Sequence, residues 1–132
     1  MRTINQAIAH SCKEYFLDSK KSEKEILNNL EQISINLGEE KTAVFVSKAY
    51  RVLKQDTEKL YLSIKNRDLS LCSQYAHKLR GSSNLYASTI LATLLLELVE
   101  NTESIIDDDD QCKLLFCEFE LVLKTLKFKR LL

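Results

Sequence analysis

Apolar residues recur along this chain at steps of three and four, the spacing that gathers them on one face of an α-helix. Ile26, Leu30, Ile33 and Leu37 form one such stripe. Phe45, Ala49, Val52, Leu53, Leu60 and Ile64 form a second, in the longest segment, residues 40–65. A third passes through Leu69, Cys72, Ala76, Leu79, Ser83 and Tyr86. It predicts a helix over residues 69–84 and a close turn near Leu85 and Tyr86. Ile90, Leu91, Leu94, Leu95 and Leu98 predict a strongly apolar helix over 87–101, and Asn101 to Ile106 reads as a loop. Cys112, Leu115, Phe116, Phe119, Val122, Leu123 and Leu126 mark the last helix. Near the start, Ile4, Ala7, Ile8, Ser11 and Tyr15 predict a helix over residues 3–18, with Thr3 as its cap.

The residues between the stripes punctuate them. Asp18-Ser19-Lys20-Lys21 reads as a polar break, and Ser22-Glu23-Lys24-Glu25 as a capping box opening the next helix. Gly38 stands where that helix ends, a position that favours glycine because it takes a left-handed conformation. Asp68 is placed to cap the helix over 69–84. There is no proline, and Gly38 and Gly81 are the only glycines. A sheet protein needs more turn residues than that. The expected fold is therefore all-α. The four long helices after Gly38, with short connections, predict an antiparallel up-down-up-down four-helix bundle with one or two additional N-terminal helices across or beside it. Residues 1–21 read as an N-terminal helical extension and residues 22–132 as the bundle domain.

Composition narrows what such a bundle does. Lys plus Arg and Asp plus Glu are 19 each, for a formal net charge of zero. A nucleic-acid binder normally carries a basic excess, and so does a protein held electrostatically to a membrane. The longest apolar run, Ile90 to Leu96, is broken by Glu97, far short of the roughly 20 residues that span a bilayer. No cleavable signal sequence is visible. Cys12, Cys72, Cys112 and Cys117 form no C-x-x-C pair and fall on or near apolar stripes, so they read as reduced thiols of a cytoplasmic protein. His10 lies off its stripe and reads as a surface residue. Asp107 to Asp110 lack the alternating spacing and glycine of a calcium loop. They read instead as acids complementing the positive end of the last helix, as Lys124, Lys127, Lys129 and Arg130 complement its negative end. No metal site and no cofactor are expected, and a monomer is.

One stretch does not reduce to packing. On the helix over 69–84, His77 falls opposite the apolar stripe, with Ser73, Gln74, Arg80, Gly81 and Asn84 on the same polar side. Arg80 and Gly81 follow His77 by three and four residues, one helical turn. A glycine inside an exposed helix costs roughly 0.5–1 kcal/mol relative to alanine. Such a local cost calls for a compensating role. Removing the side chain beside His77 would let another molecule's backbone come close to the ring.

His77-Lys78-Leu79-Arg80-Gly81-Ser82-Ser83 resembles the signature of histidine-containing phosphotransfer (HPt) domains: a His, any residue, a Leu, a Lys or Arg, a Gly, then two small residues. The resemblance covers about residues 22–130, with one departure. Where the family often has a glycine, ten residues after the histidine, this chain has Ala87. The resemblance implies a phosphorelay intermediate and not an enzyme. His77 is the implied phosphoacceptor, with Arg80, and second to it Lys78, stabilising the phosphoryl group. Gly81 is the close-approach position, and Ser73, Gln74, Ser82 and Asn84 are supporting or docking residues. The implied partners are receiver domains of a hybrid sensor kinase or a response regulator, which bring the divalent metal ion. Histidine suits the role because its ring offers a lone pair near neutral pH without a strong base.

Two other readings compete. The dimerising helices of a sensor kinase would need an ATP-binding domain with a glycine-rich lid in the same chain, and a proline after the histidine; neither is seen. An HPt-like adaptor that binds a receiver or kinase without carrying phosphate is compatible with every residue named.

Overall fold

The apolar stripes become helix interfaces in the computed structural model of the chain, which describes residues 16–131, with side chains from Ser19 to Lys129. The predicted helix over residues 3–18, with Thr3, His10 and Cys12, lies almost wholly outside the described residues. Six helices are described: α1 (Phe16–Leu37), α2 (Glu39–Lys65), α3 (Leu69–Ser83), α4 (Thr89–Glu100), α5 (Thr102–Ile106) and α6 (Asp109–Leu131). There is no strand among the described residues.

The predicted polar break at residues 18–21 does not form. Helix α1 runs straight through it, so Ser22 is an interior residue and not a cap. The boundary drawn between residues 21 and 22 thus falls inside a helix. The reason is energetic: lysine is a good helix former, and serine or aspartate inside a helix costs only a few tenths of a kcal/mol. Ile26, 0% exposed, repays that several times over, since burying such a side chain is worth about 1.5–3 kcal/mol. Gly38 ends α1 at φ +84°, its N–H donating to the Ser34 carbonyl at 2.8 Å.

The buried face of α2 lies slightly round from the predicted stripe. Val46, Leu53 and Leu60 are its buried apolar residues, while Phe45, Ala49 and Ile64 are only half-buried. Asp56, Thr57 and Ser63 are buried with them, three polar residues that apolar periodicity passes over. The turn into α3 places Arg67 at φ +52°, and Asp68 N–H closes back onto Ser63 O at 3.0 Å. The Arg67 guanidinium pairs with Asp107, tying this turn to the start of the last helix. Asp68 caps α3 as expected, its carboxylate accepting the Leu71 N–H at 3.1 Å.

Helix α3 packs on α2 and α4 and buries Cys72, Ala76, Leu79 and Ser83. Tyr86, in the turn that follows, is 2% exposed and meets the edge of Phe45 at 6.1 Å between ring centroids. Ser88 caps α4, accepting the Leu91 N–H at 3.1 Å. The loop expected over 101–106 is instead the short helix α5. Thr102 donates its hydroxyl to Leu98 O at 2.8 Å, and the turn it starts delivers Ile106 to the core. Helix α6 packs against α1, α2, α4 and α5. Its Leu115, Phe116, Phe119, Val122 and Leu126 bind the core together.

Candidate functional site

Helix α3 lays out the motif by simple geometry. Its apolar face is clamped between α2 and α4, which leaves the opposite face in solvent. His77 stands there, exposed, with no hydrogen bond or ion pair to any described residue. Residues three and four away on a helix flank it: Ser73 and Gln74 one turn before, Arg80 and Gly81 one turn after. Ser73 is half-buried, and the other three are exposed. Gln74 donates to Ser70 Oγ at 3.1 Å.

The two basic residues of the motif fare differently. Arg80 is exposed and makes no ion pair among the described residues. Lys78, named as a second phosphate-stabilising residue, reaches the other way. Its Nζ lies 3.3 Å from Oδ1 of Asp56 on α2, a carboxylate 3% exposed. The Lys78 charge is therefore compensated by a buried acid, and among the described residues Arg80 is the uncompensated cation of the motif. The physical cause is position: Lys78 is about 100° round the helix from His77, on the flank that faces α2.

The serines are also sorted by the fold. Ser83 is buried and donates to Leu79 O at 2.6 Å. Ser82 donates to the same carbonyl at 3.4 Å. It lies about 140° round the helix from His77, so its hydroxyl serves the backbone and does not orient the ring. Asn84 keeps the polar side of His77 but stands two turns further on, about 10 Å along the axis. Arg80, Ser83 and Asn84 line a cleft of ≈ 360 Å³ with Asn29, Thr89 and Thr93.

Gly81 is open in every direction. A Cβ built on it meets nothing within 4 Å, and its φ is not in the left-handed region. Neither backbone conformation nor close packing against the described residues requires a glycine there.

Several residues that hold the site in place carry no motif. Asn29 on α1 donates its amide to the carbonyls of Tyr86 and Ala87, at 3.3 and 3.2 Å, fixing the turn after α3. Glu25 on α1 accepts the Thr89 N–H at 3.2 Å and its hydroxyl at 2.6 Å. Ser88 donates its hydroxyl to Glu118 on α6 at 2.6 Å. Glu118 is 0% exposed, and its other carboxylate oxygen has no hydrogen-bond partner among the described residues. Loss of hydration pushes its carboxyl up to about 7. Two of the residues that sequence reasoning missed had a visible signal. Glu118 and Asp56 each sit on an apolar stripe, flanked at three or four residues by Leu115 and Val122, or by Leu53 and Leu60. Asn29 and Glu25 had none, since their partners lie 57 to 64 residues away.

Burial disfavours the thiolate at two of the cysteines. Burial raises Cys72, and burial with the nearby aspartates pushes Cys112 up to about 11. Burial first, and Asp56 second, raises the Tyr86 phenol. Among the described residues no three His, Cys, Asp or Glu side chains gather to hold a metal ion, and no helix is long and apolar enough to cross a membrane. Comparison of the chain with family models, with curated proteins and with solved structures returns no match.

Proposed function

We propose that this protein is a phosphorelay intermediate of the HPt kind, an antiparallel up-down-up-down bundle of α2, α3, α4 and α6 with α1 as its leading helix. The observation that carries the reading is the environment of His77. Among the described residues the ring stands exposed and unpaired, Arg80 stands one turn away without a counter-charge, and Gly81 leaves the approach open with no packing contact that requires a glycine.

In the proposed reaction a receiver domain brings a phosphoaspartate and its divalent ion. A ring nitrogen of His77 attacks phosphorus, the N–P bond forms, and the P–O bond to the aspartyl group breaks. The carboxylate leaves with the electron pair. Transfer to a second receiver runs the same exchange in reverse. Such transfer depends on in-line positioning and on charge stabilisation more than on covalent help. Arg80 supplies the charge from this side: at about 5 Å from a phosphoryl oxygen it is worth roughly 1–3 kcal/mol for effective dielectrics between about 80 and 20. The protein acts as a cytoplasmic monomer, and ATP plays no part in its own step.

The test mixes the protein with a radiolabelled phospho-receiver and runs the His77→Gln variant alongside. Wild type takes the label and the variant does not. Equal labelling of the variant, or no labelling of wild type by any of several receivers, overturns the reading. Receiver binding without labelling identifies a non-carrying adaptor in its place.

A further inference from the structure

Among the described residues, Asp56 is the buried carboxylate that reaches the motif. It is 2% exposed, its Oδ1 takes the Lys78 ammonium at 3.3 Å, and its Oδ2 has no hydrogen-bond partner among the described residues. A carboxylate removed from water needs a compensating charge, so Asp56 has a strong hold on Lys78. Lys78 is also the residue next to His77, and its side chain is 57% exposed. Its flexible stem therefore runs from a buried acid to the surface beside the ring. Rotation about side-chain torsions alone would carry the ammonium from one side to the other.

We propose that Asp56 is a positioning residue that sets the phosphoryl affinity of His77 by withholding Lys78 from it. The inference rests on the phosphorelay reading above and deepens it. Two anions compete for one ammonium: the buried carboxylate, always present, and the phosphoryl group, present only in the charged state of the relay. While Asp56 holds Lys78, Arg80 alone answers the phosphoryl charge. A relay intermediate gains from this restraint, because a group bound too tightly at His77 is not passed on. A cation that favours one state can shift an exchange equilibrium only by its differential interaction with the two states. Released from Asp56, Lys78 at about 5 Å from the phosphoryl group would favour the phosphorylated protein at least about fourfold, even in a water-like dielectric.

The experiment equilibrates wild type, Asp56→Asn and the double variant Asp56→Asn/Lys78→Met with one labelled receiver and measures how the label divides. Thermal unfolding of each protein is recorded in parallel. Asp56→Asn is expected to move the exchange constant toward His77 by at least about fourfold. The double variant is expected to return close to wild type, because the gain acts through Lys78. Acylation of Lys78, followed by mass spectrometry, is expected to run faster in Asp56→Asn than in wild type. An unchanged exchange constant in Asp56→Asn overturns the proposal, and so does a gain that persists in the double variant, which has the wild-type net charge and no Lys78 ammonium to act through. Should the amide fail to fold, Asp56→Leu removes the same charge with an apolar side chain of similar bulk. If wild type exchanges and Asp56→Asn behaves identically, this proposal falls and the relay reading stands. If wild type takes no label from any receiver, the relay reading falls, and this one with it.

Discussion

Replacing Gly81 by alanine separates what the fold needs from what a partner needs. The position is helical, with φ outside the left-handed region, and the added methyl meets nothing within 4 Å. No contact with a described residue opposes the change. Alanine exceeds glycine in helix propensity by roughly 0.8–1 kcal/mol, and part of that gain comes from fewer conformations in the unfolded chain. Gly81→Ala should therefore stabilise the protein by about 0.5–1 kcal/mol. For 132 residues the unfolding entropy is on the order of 0.28 kcal/mol/K, so the midpoint should rise by about 2–4 °C. The same methyl stands one turn from His77, roughly 5–6 Å between Cβ atoms, on the face a receiver would approach. Transfer from a phospho-receiver should slow while stability rises. Denaturant and thermal unfolding measure the first effect, and the initial rate of labelling measures the second. A destabilised variant would mean that the glycine serves the fold. A stabilised variant with wild-type transfer would refute the close-approach role.

Arg80→Ala should leave the unfolding midpoint almost unchanged, because the side chain is exposed and pairs with no described residue. It should slow transfer by about fivefold to a hundredfold, the rate equivalent of roughly 1–3 kcal/mol, and unfolding of the variant would show Arg80 to be structural. Glu118 predicts a pH dependence of stability. Its folded-state carboxyl, pushed up to about 7 from 4.5, holds a proton that the unfolded chain releases between those values. Stability should therefore be fullest below about pH 4.5 on this account and decline by about 3 kcal/mol as pH rises through 7. Glu118→Gln can still accept the Ser88 hydroxyl, and it should flatten the denaturant-stability profile across that window. A profile as steep as that of wild type would assign the dependence to other groups.

The helical character and most element boundaries could be read from residue spacing, because period and capping are local properties. Asp68 as a cap and Gly38 as a terminator follow from side-chain chemistry acting within one turn, and both are present. Reading by local rule failed where distant packing outweighed it. The Asp18 to Lys21 break vanishes because Ile26 and Leu30 hold α1 against the core from further along the same helix. The loop over 101–106 coils because Ile106 is drawn into that core. The buried polar residues Asp56, Ser88 and Glu118 were passed over for a related reason: an apolar stripe says where the inside is, and not which charges it tolerates.

At the motif the division is cleaner still. Helical periodicity alone sets His77 opposite the apolar face, with Arg80 and Gly81 one turn on, since those relations depend only on spacing along one helix. The sequence ranked Arg80 above Lys78 by that same angle. Only the tertiary structure showed that Lys78 belongs to Asp56, because an ion pair across 22 residues depends on how α2 and α3 come together. Only the tertiary structure, too, showed that no described residue packs against Gly81, since an empty neighbourhood depends on every described element at once.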